Sequence, residues 1–140
     1  MERLRFNDLS FEVPSEWRNE TVVTLAGRDS KQFAPNVVVT RDFGVEEPLE
    51  DYAKRQVPDI KRATKKHELV SEREETIAGQ SAYVLEHRFM TQERVRVRQL
   101  QYFVRGSDGV IVMSLTVAEQ EVKGRANLLR RIAASLTVEH

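Results

Sequence analysis

The chain has 140 residues, 40% hydrophobic and 31% charged, with 6 Gly and 4 Pro, the profile of one globular domain spanning 1–140 that can bury a core without metal or disulfide staples. It contains no cysteine, which excludes disulfides, thiolate nucleophiles and Cys-based zinc or iron–sulfur sites. Its 22 basic and 22 acidic residues cancel to a formal net charge of +0, so no whole-molecule field draws it onto nucleic acid or an anionic membrane.

Met1 to Phe11 alternate charged and apolar side chains and lack the apolar stretch of a signal peptide. No run approaches the roughly 18 apolar residues that cross a bilayer. A cytoplasmic protein with no stable membrane insertion is expected, and Glu139-His140 is given no role.

Leu4, Phe6, Leu9, Phe11 and Val13 are spaced as a hairpin around Asn7-Asp8, broken by Pro14-Ser15 before Trp17. Thr21–Leu25 and Asn36–Phe43 are β-branched stretches separated by a polar loop with Gly27, Asp29, Ser30 and Pro35, which predicts two more strands. After Pro48, Leu49, Tyr52, Ala53, Gln56, Val57, Ile60 and Ala63 recur at helical spacing. Pro58 sits inside that pattern and is expected to kink the helix or end it early. Four strands follow, His67–Ile77, Ser81–Met90, Arg94–Val104 and Val110–Val117, with connections short enough to force an antiparallel meander. Thr116 and Glu119 have capping-box spacing, and Val122, Ala126, Leu129, Ile132 and Ala133 form the stripe of a final helix. The fold class is therefore α+β, an antiparallel sheet flanked by helices.

Catalytic and metal chemistry find little foothold. His67, His87 and His140 lack zinc-site spacing, and His87, on a strand among charged residues, reads as a solvated or hydrogen-bonded imidazole. No G-x-S-x-G surrounds a serine, and Ser81 and Ser114 lie within strands. Glu72, Glu74 and Glu75 read as a solvated strand face whose partners are Arg94, Arg96 and Arg98, alternating along another strand. Lys61, Arg62, Lys65 and Lys66 gather at the end of the first helix, where the helix dipole favours cations. A binding protein without cofactor or metal is expected, not an enzyme.

The strands themselves carry the functional signal. Val95, Val97, Gln99, Gln101 and Phe103 share one face of their strand, as do Val112, Ser114 and Thr116 of the next. Val22 with Thr24, and Asn36 with Val38 and Thr40, repeat the mixture of β-branched apolar and small hydrogen-bonding groups. A solvated face would carry Lys and Glu, and a helix-covered one would be uniformly apolar. An intermediate face suits a groove that receives a partner.

Leu9, Phe11, Val13, Pro14 and Trp17 in an L-x-F-x-V-P-x-x-W pattern, N-V-V-V-T-R-D at 36–42, D-Y-A-K-R-Q at 51–56 and R-Q-L at 98–100 resemble the DcrB-like family. Within it they are similar to the Eag chaperones encoded beside Rhs and PAAR-type effectors of bacterial type VI secretion. The resemblance covers nearly the whole chain. It implies a Mog1/PsbP-like fold, a homodimer, and a hydrophobic groove that shields an effector's N-terminal transmembrane helices in the producing cell. In that family glutamines hydrogen-bond the bound helices, and Gln56 and Gln99 match those positions. Val22 and Thr24 match a groove strand that is more apolar in relatives. The partner-binding set is Gln56, Gln99, Val22, Thr24, Val38, Thr40, Gln101 and Ser114. A DcrB- or PsbP-like accessory protein on a membrane complex, or a Mog1-like regulator of a folded partner, is the alternative, because fold alone does not fix function.

Overall fold

The computed structural model describes residues 1–28 and 33–139; Asp29 and Ser30 of the expected polar loop, and His140, lie outside the described residues. The chain opens with β1 (Glu2–Phe6) and β2 (Leu9–Val13), an antiparallel pair around Asn7-Asp8. Asn7 takes φ 56°, a left-handed conformation that Asn tolerates and a tight hairpin needs. Phe6 stacks on Phe11 with ring centroids 5.7 Å apart.

The other strands are β3 (Val23–Ala26), β4 (Asn36–Asp42), β5 (Lys65–Ile77), β6 (Gln80–Met90), β7 (Arg96–Arg105) and β8 (Val110–Ala118), with helices α1 (Leu49–Ala63) and α2 (Val122–Ala134). They form one six-stranded sheet in the order β3-β4-β8-β7-β6-β5, antiparallel throughout. Strands β5 to β8 make the expected meander, and α1 carries the chain from β4 to the far edge at β5.

Alternation along the strands divides the interior into two cores. On the back face, Val84, Tyr102, Val104, Ile111, Met113, Leu115 and Val117 pack with Leu129 and Ala133 of α2. On the front face, Tyr83, Leu85, Phe103, Val110 and Val112 pack with Tyr52 and Ala53 of α1. Gly109 lets the turn between β7 and β8 close against the end of β4: it takes φ 100°, and a Cβ there would come 2.0 Å from the Asp42 carbonyl oxygen, so no other residue fits.

Several expectations are corrected. Of the two outcomes expected at Pro58, an early end does not occur: Pro58 lies inside α1, which runs on to Ala63, and sits on the exposed side of the helix, where a carbonyl without its N–H partner can reach solvent. Thr116 and Glu119 form no capping box, because Thr116 is buried within β8 and Glu119 starts a short 3₁₀ turn. Arg94 is not in a strand but at φ 66° in the turn before β7. Strand β6 lies between β5 and β7, so Glu72, Glu74 and Glu75 cannot pair with Arg94, Arg96 and Arg98 across one ladder. Glu72 meets Lys54 at 3.8 Å, Glu75 meets Arg73 at 3.7 Å, and Arg98 meets Glu86 and, at 2.7 Å, Glu119.

Candidate partner-binding groove

Helix α1 is pinned at its start. Arg105 of β7 donates to the carbonyls of Val45 and Glu47 at 2.7 and 2.6 Å, and the Tyr52 hydroxyl donates to Asp42 at 2.7 Å. Burial and the bonded Asp42 carboxylate push the Tyr52 hydroxyl well above the ordinary phenol range. From there α1 lies over β5, β6 and β7 and reaches Val110 and Val112 of β8, while Val38 and Thr40 of β4 and Ser114 of β8 stay half-buried. Beside α1 on this face is a cavity of about 400 Å³. Gln56, Ile60 and Ala63 of α1 form one wall, and Phe103, Val112, Gln101, Ser114 and Thr40 form the floor and far side.

Four of the eight residues expected to bind a partner thus come together: Thr40, Gln56, Gln101 and Ser114. Val38 pairs in register with both Ser114 and Thr24, so these extend the same face toward the β3 edge. Val22 lies just before β3 and is 54% exposed. Gln99 is on the front face but outside the cavity; its amide donates to the Thr116 hydroxyl at 3.0 Å. Gln56 donates to the Tyr52 carbonyl of its own helix at 3.2 Å.

Of the two readings of His87, solvated or hydrogen-bonded, the structure shows the second. His87 is 0% exposed, with one ring nitrogen 2.8 Å from His67 and the other 2.7 Å from the Gln101 carbonyl oxygen. Gln101 donates in turn to the Ser114 hydroxyl at 3.4 Å. A hydrogen-bonded chain therefore crosses four adjacent strands and ends in the cavity. Burial lowers the His87 pKa to about 4, and burial with nearby Lys61 lowers that of His67. His67 lies within a register shift of β5 between Lys65 and Glu68, and Lys66 there takes φ 54°, a bulge that sets the ring against its partner. The missed signal was positional: Gln99 and Gln101 are an alternating pair on β7, and His87 is the β6 residue directly opposite Gln99.

The back face carries a second groove that the sequence reading did not single out. Val23, Leu25, Val37, Val39, Leu128 and Ile132 line a space of about 540 Å³ between β3 and α2. Leu25 is 64% exposed. Farther along the same face, Arg88 and Arg98 share Glu119 at 3.1 and 2.7 Å. Burial opposes ionisation of Glu119, but the two guanidiniums outweigh it and hold its pKa below the usual value. Among the described residues no cluster of His, Asp and Glu is arranged to hold a metal, and no helix is long and apolar enough to cross a membrane.

Comparison with solved structures establishes the fold. A Pseudomonas aeruginosa protein of unknown function, PA94, superimposes with TM-score 0.79 at 18% identity, covering 100% of this chain and 98% of that one. The solution structure of cyanobacterial PsbP (CyanoP) from Synechocystis sp. PCC 6803 superimposes with TM-score 0.60 at 17% identity, covering 99% and 92%. The fold is thus α+β and PsbP-like. A search of curated proteins finds no match. The DcrB family model matches residues 8–135, nearly the whole described sheet and both helices, and the chain belongs to the DcrB family.

Proposed function

We propose that this protein is a cytoplasmic chaperone or adaptor that binds the N-terminal transmembrane helices of an Rhs/PAAR-type type VI secretion effector before export, and that it acts as a homodimer. The observation that carries this reading is the front-face cavity, where Thr40, Gln56, Gln101 and Ser114 converge with Phe103 and Val112. Membrane helices pack through close contacts, small side chains and interhelical hydrogen bonds, and a groove of Thr, Ser, Gln and Val offers the same contacts in water. Covering the client's apolar surface recovers about 25 cal/mol per Å². On this reading the protein is not an enzyme and uses no cofactor. The apolar back groove and the open edge of β3 supply surface that a homodimer would cover, and light scattering at micromolar concentration tests that part.

Co-expression tests the rest. The effector's N-terminal segment is expected to accumulate with this protein and to be captured by it. Val38→Asp, which sets an unpaired carboxylate against an apolar client, is expected to abolish capture while circular dichroism stays native. Equal accumulation without the protein sinks the chaperone reading. Normal capture by Val38→Asp together with loss by Leu25→Asp would move the client to the back groove.

A further inference from the structure

The chain His67–His87–Gln101–Ser114 has a direction, and it can be assigned. In one polarity His67 Nε2–H donates to His87 Nδ1, His87 Nε2–H to Gln101 Oε1, and the Gln101 amide to Ser114 Oγ, matching the contacts at 2.8, 2.7 and 3.4 Å. In the reverse polarity the Gln101 amide turns over, both imidazoles carry their proton on Nδ1, and Ser114 becomes the donor at the head of the chain. The deciding atom is His67 Nδ1, which is buried and has no hydrogen-bond partner among the described residues. The reverse polarity places an unpaired N–H there, whereas the first leaves only a lone pair. Orphaned buried donors are rarer in folded proteins than under-used acceptors.

We propose that His67 and His87 are positioning residues for the groove: the buried imidazole pair locks the Gln101 amide toward Ser114, so that the Ser114 hydroxyl donates into the cavity and favours an apolar helix presenting a free carbonyl acceptor. This rests on the helix-binding reading above. The cavity wall agrees with it, because Ile60, Ala63, Phe103 and Val112 give it apolar surface beside Thr40 and Gln56, and against such surface an unmatched hydroxyl donor costs free energy and a matched one discriminates. Such acceptors occur in membrane helices at proline, which removes the N–H that would engage the carbonyl four residues earlier. The groups facing the imidazoles are few. Lys61 of α1 acts on His67, Gln101 of β7 bonds His87, and Asp59 of α1, which also lines the cavity, is engaged by Arg62.

Two measurements on the full chain test this. Nitrogen-15 spectra of the imidazoles at neutral pH are expected to show His67 and His87 both protonated on Nε2; protonation on Nδ1 of His87 reverses the polarity and overturns the proposal. Binding is then measured with two Lys-flanked Leu/Ala peptides of about 20 apolar residues, one carrying a central proline. The wild type is expected to prefer the proline peptide by roughly 3- to 10-fold, the effect of one added hydrogen bond. Ser114→Ala and His87→Leu are expected to erase the preference, and His87→Gln, which keeps an N–H near the Nε2 position, to restore part of it. Peptides that bind equally, or a preference that survives Ser114→Ala, overturn the proposal and leave the chaperone reading standing. Failure of both peptides to bind the wild type removes the helix-binding reading itself, and the proposal with it.

Discussion

On the back of the sheet, the polar side chains are long and charged, and they satisfy one another: Arg88 and Arg98 meet Glu68, Glu86 and Glu119 at one end, beside a continuous apolar layer under α2. On the front, beside the charged groups that anchor α1, a neutral set bonds in rows: His87 with Gln101 and Ser114 toward the cavity, and Gln99 with Thr116 next to it. Charged arms can reach solvent from a partly covered face, so their network costs little and binds nothing in particular. Neutral groups fixed at a cavity floor keep defined donors and acceptors that a partner's groups can join at small desolvation cost. On the proposed reading the front is the face that receives the partner, and the contrast can be tested residue by residue.

The sharpest test is whether α1 is firmly seated on the front. Phe103 is fully buried and meets the Tyr52 ring edge-on at a centroid distance of 6.0 Å. Phe103→Ala is expected to cost about 3–5 kcal/mol in urea unfolding. A loss under about 1 kcal/mol would mean that α1 is only loosely held there.

The neutrality of the front chain predicts a pH signature next. An unfolded histidine titrates near pH 6.5, whereas burial holds His87 at about 4 and lowers His67 as well. Above pH 6.5 both states are neutral and the full stability is present. As pH falls from about 6.5 toward 4, the unfolded chain takes up protons that the native His87 refuses, and stability declines by on the order of 3 kcal/mol through His87. The decline levels off once native His87 is protonated. Subtracting the profile of His87→Gln isolates this contribution from the carboxylates, and a flat difference between pH 7 and 4.5 would contradict a buried neutral imidazole.

On the back, Arg98→Met is expected to cost about 2 kcal/mol, less than the 3–5 typical of fully buried pairs, because water can reach the carboxylates it leaves. Its side chain is 13% exposed and that of Glu119 26%. Arg88 stays beside Glu119 and softens the loss further.

The order and type of the elements could be read from the sequence because period-2 and period-3.6 patterns are local. The expected Asn36–Phe43, Ser81–Met90 and Val110–Val117 strands fall within a residue of β4, β6 and β8. The errors arose where tertiary position decides. At Pro58 the sequence allows a kink or an early end of α1, and the exposed placement of Pro58 decides that the helix runs on to Ala63. Thr116 has a cap residue's spacing to Glu119, but the β8 ladder takes its backbone and Gln99 its hydroxyl. The ion pairs were assigned to strands of matching charge pattern, and strand order put β6 between them. In the groove, the shared face of Gln101, Ser114 and Thr40 follows from alternation alone. That α1 leaves this part of the face half-buried does not, nor does the meeting of His67 with His87 across a bulged strand.

The two family-matched glutamines provide the smallest and most discriminating test, because they occupy opposite sides of the distinction between holding the fold and receiving a partner. Gln99 donates to the hydroxyl of Thr116, itself 5% exposed. Gln99→Ala is expected to destabilise the fold by about 1 kcal/mol, since a buried hydroxyl loses its donor. Gln56 donates only to a carbonyl of its own helix, one that the helix ladder already engages, and Ala is the better helix former. Gln56→Ala is expected to change stability by less than about 0.5 kcal/mol while weakening capture of the effector's N-terminal segment roughly 2- to 10-fold, since Gln56 lines the cavity and can turn its amide to a client. Urea unfolding and quantitative pull-down separate the two readouts. If Gln99→Ala loses capture with its stability unchanged, the partner extends beyond the cavity along the β7–β8 row to Thr116. If Gln56→Ala captures normally, α1 is merely the wall of the groove, and recognition rests on the sheet floor of Gln101 and Ser114.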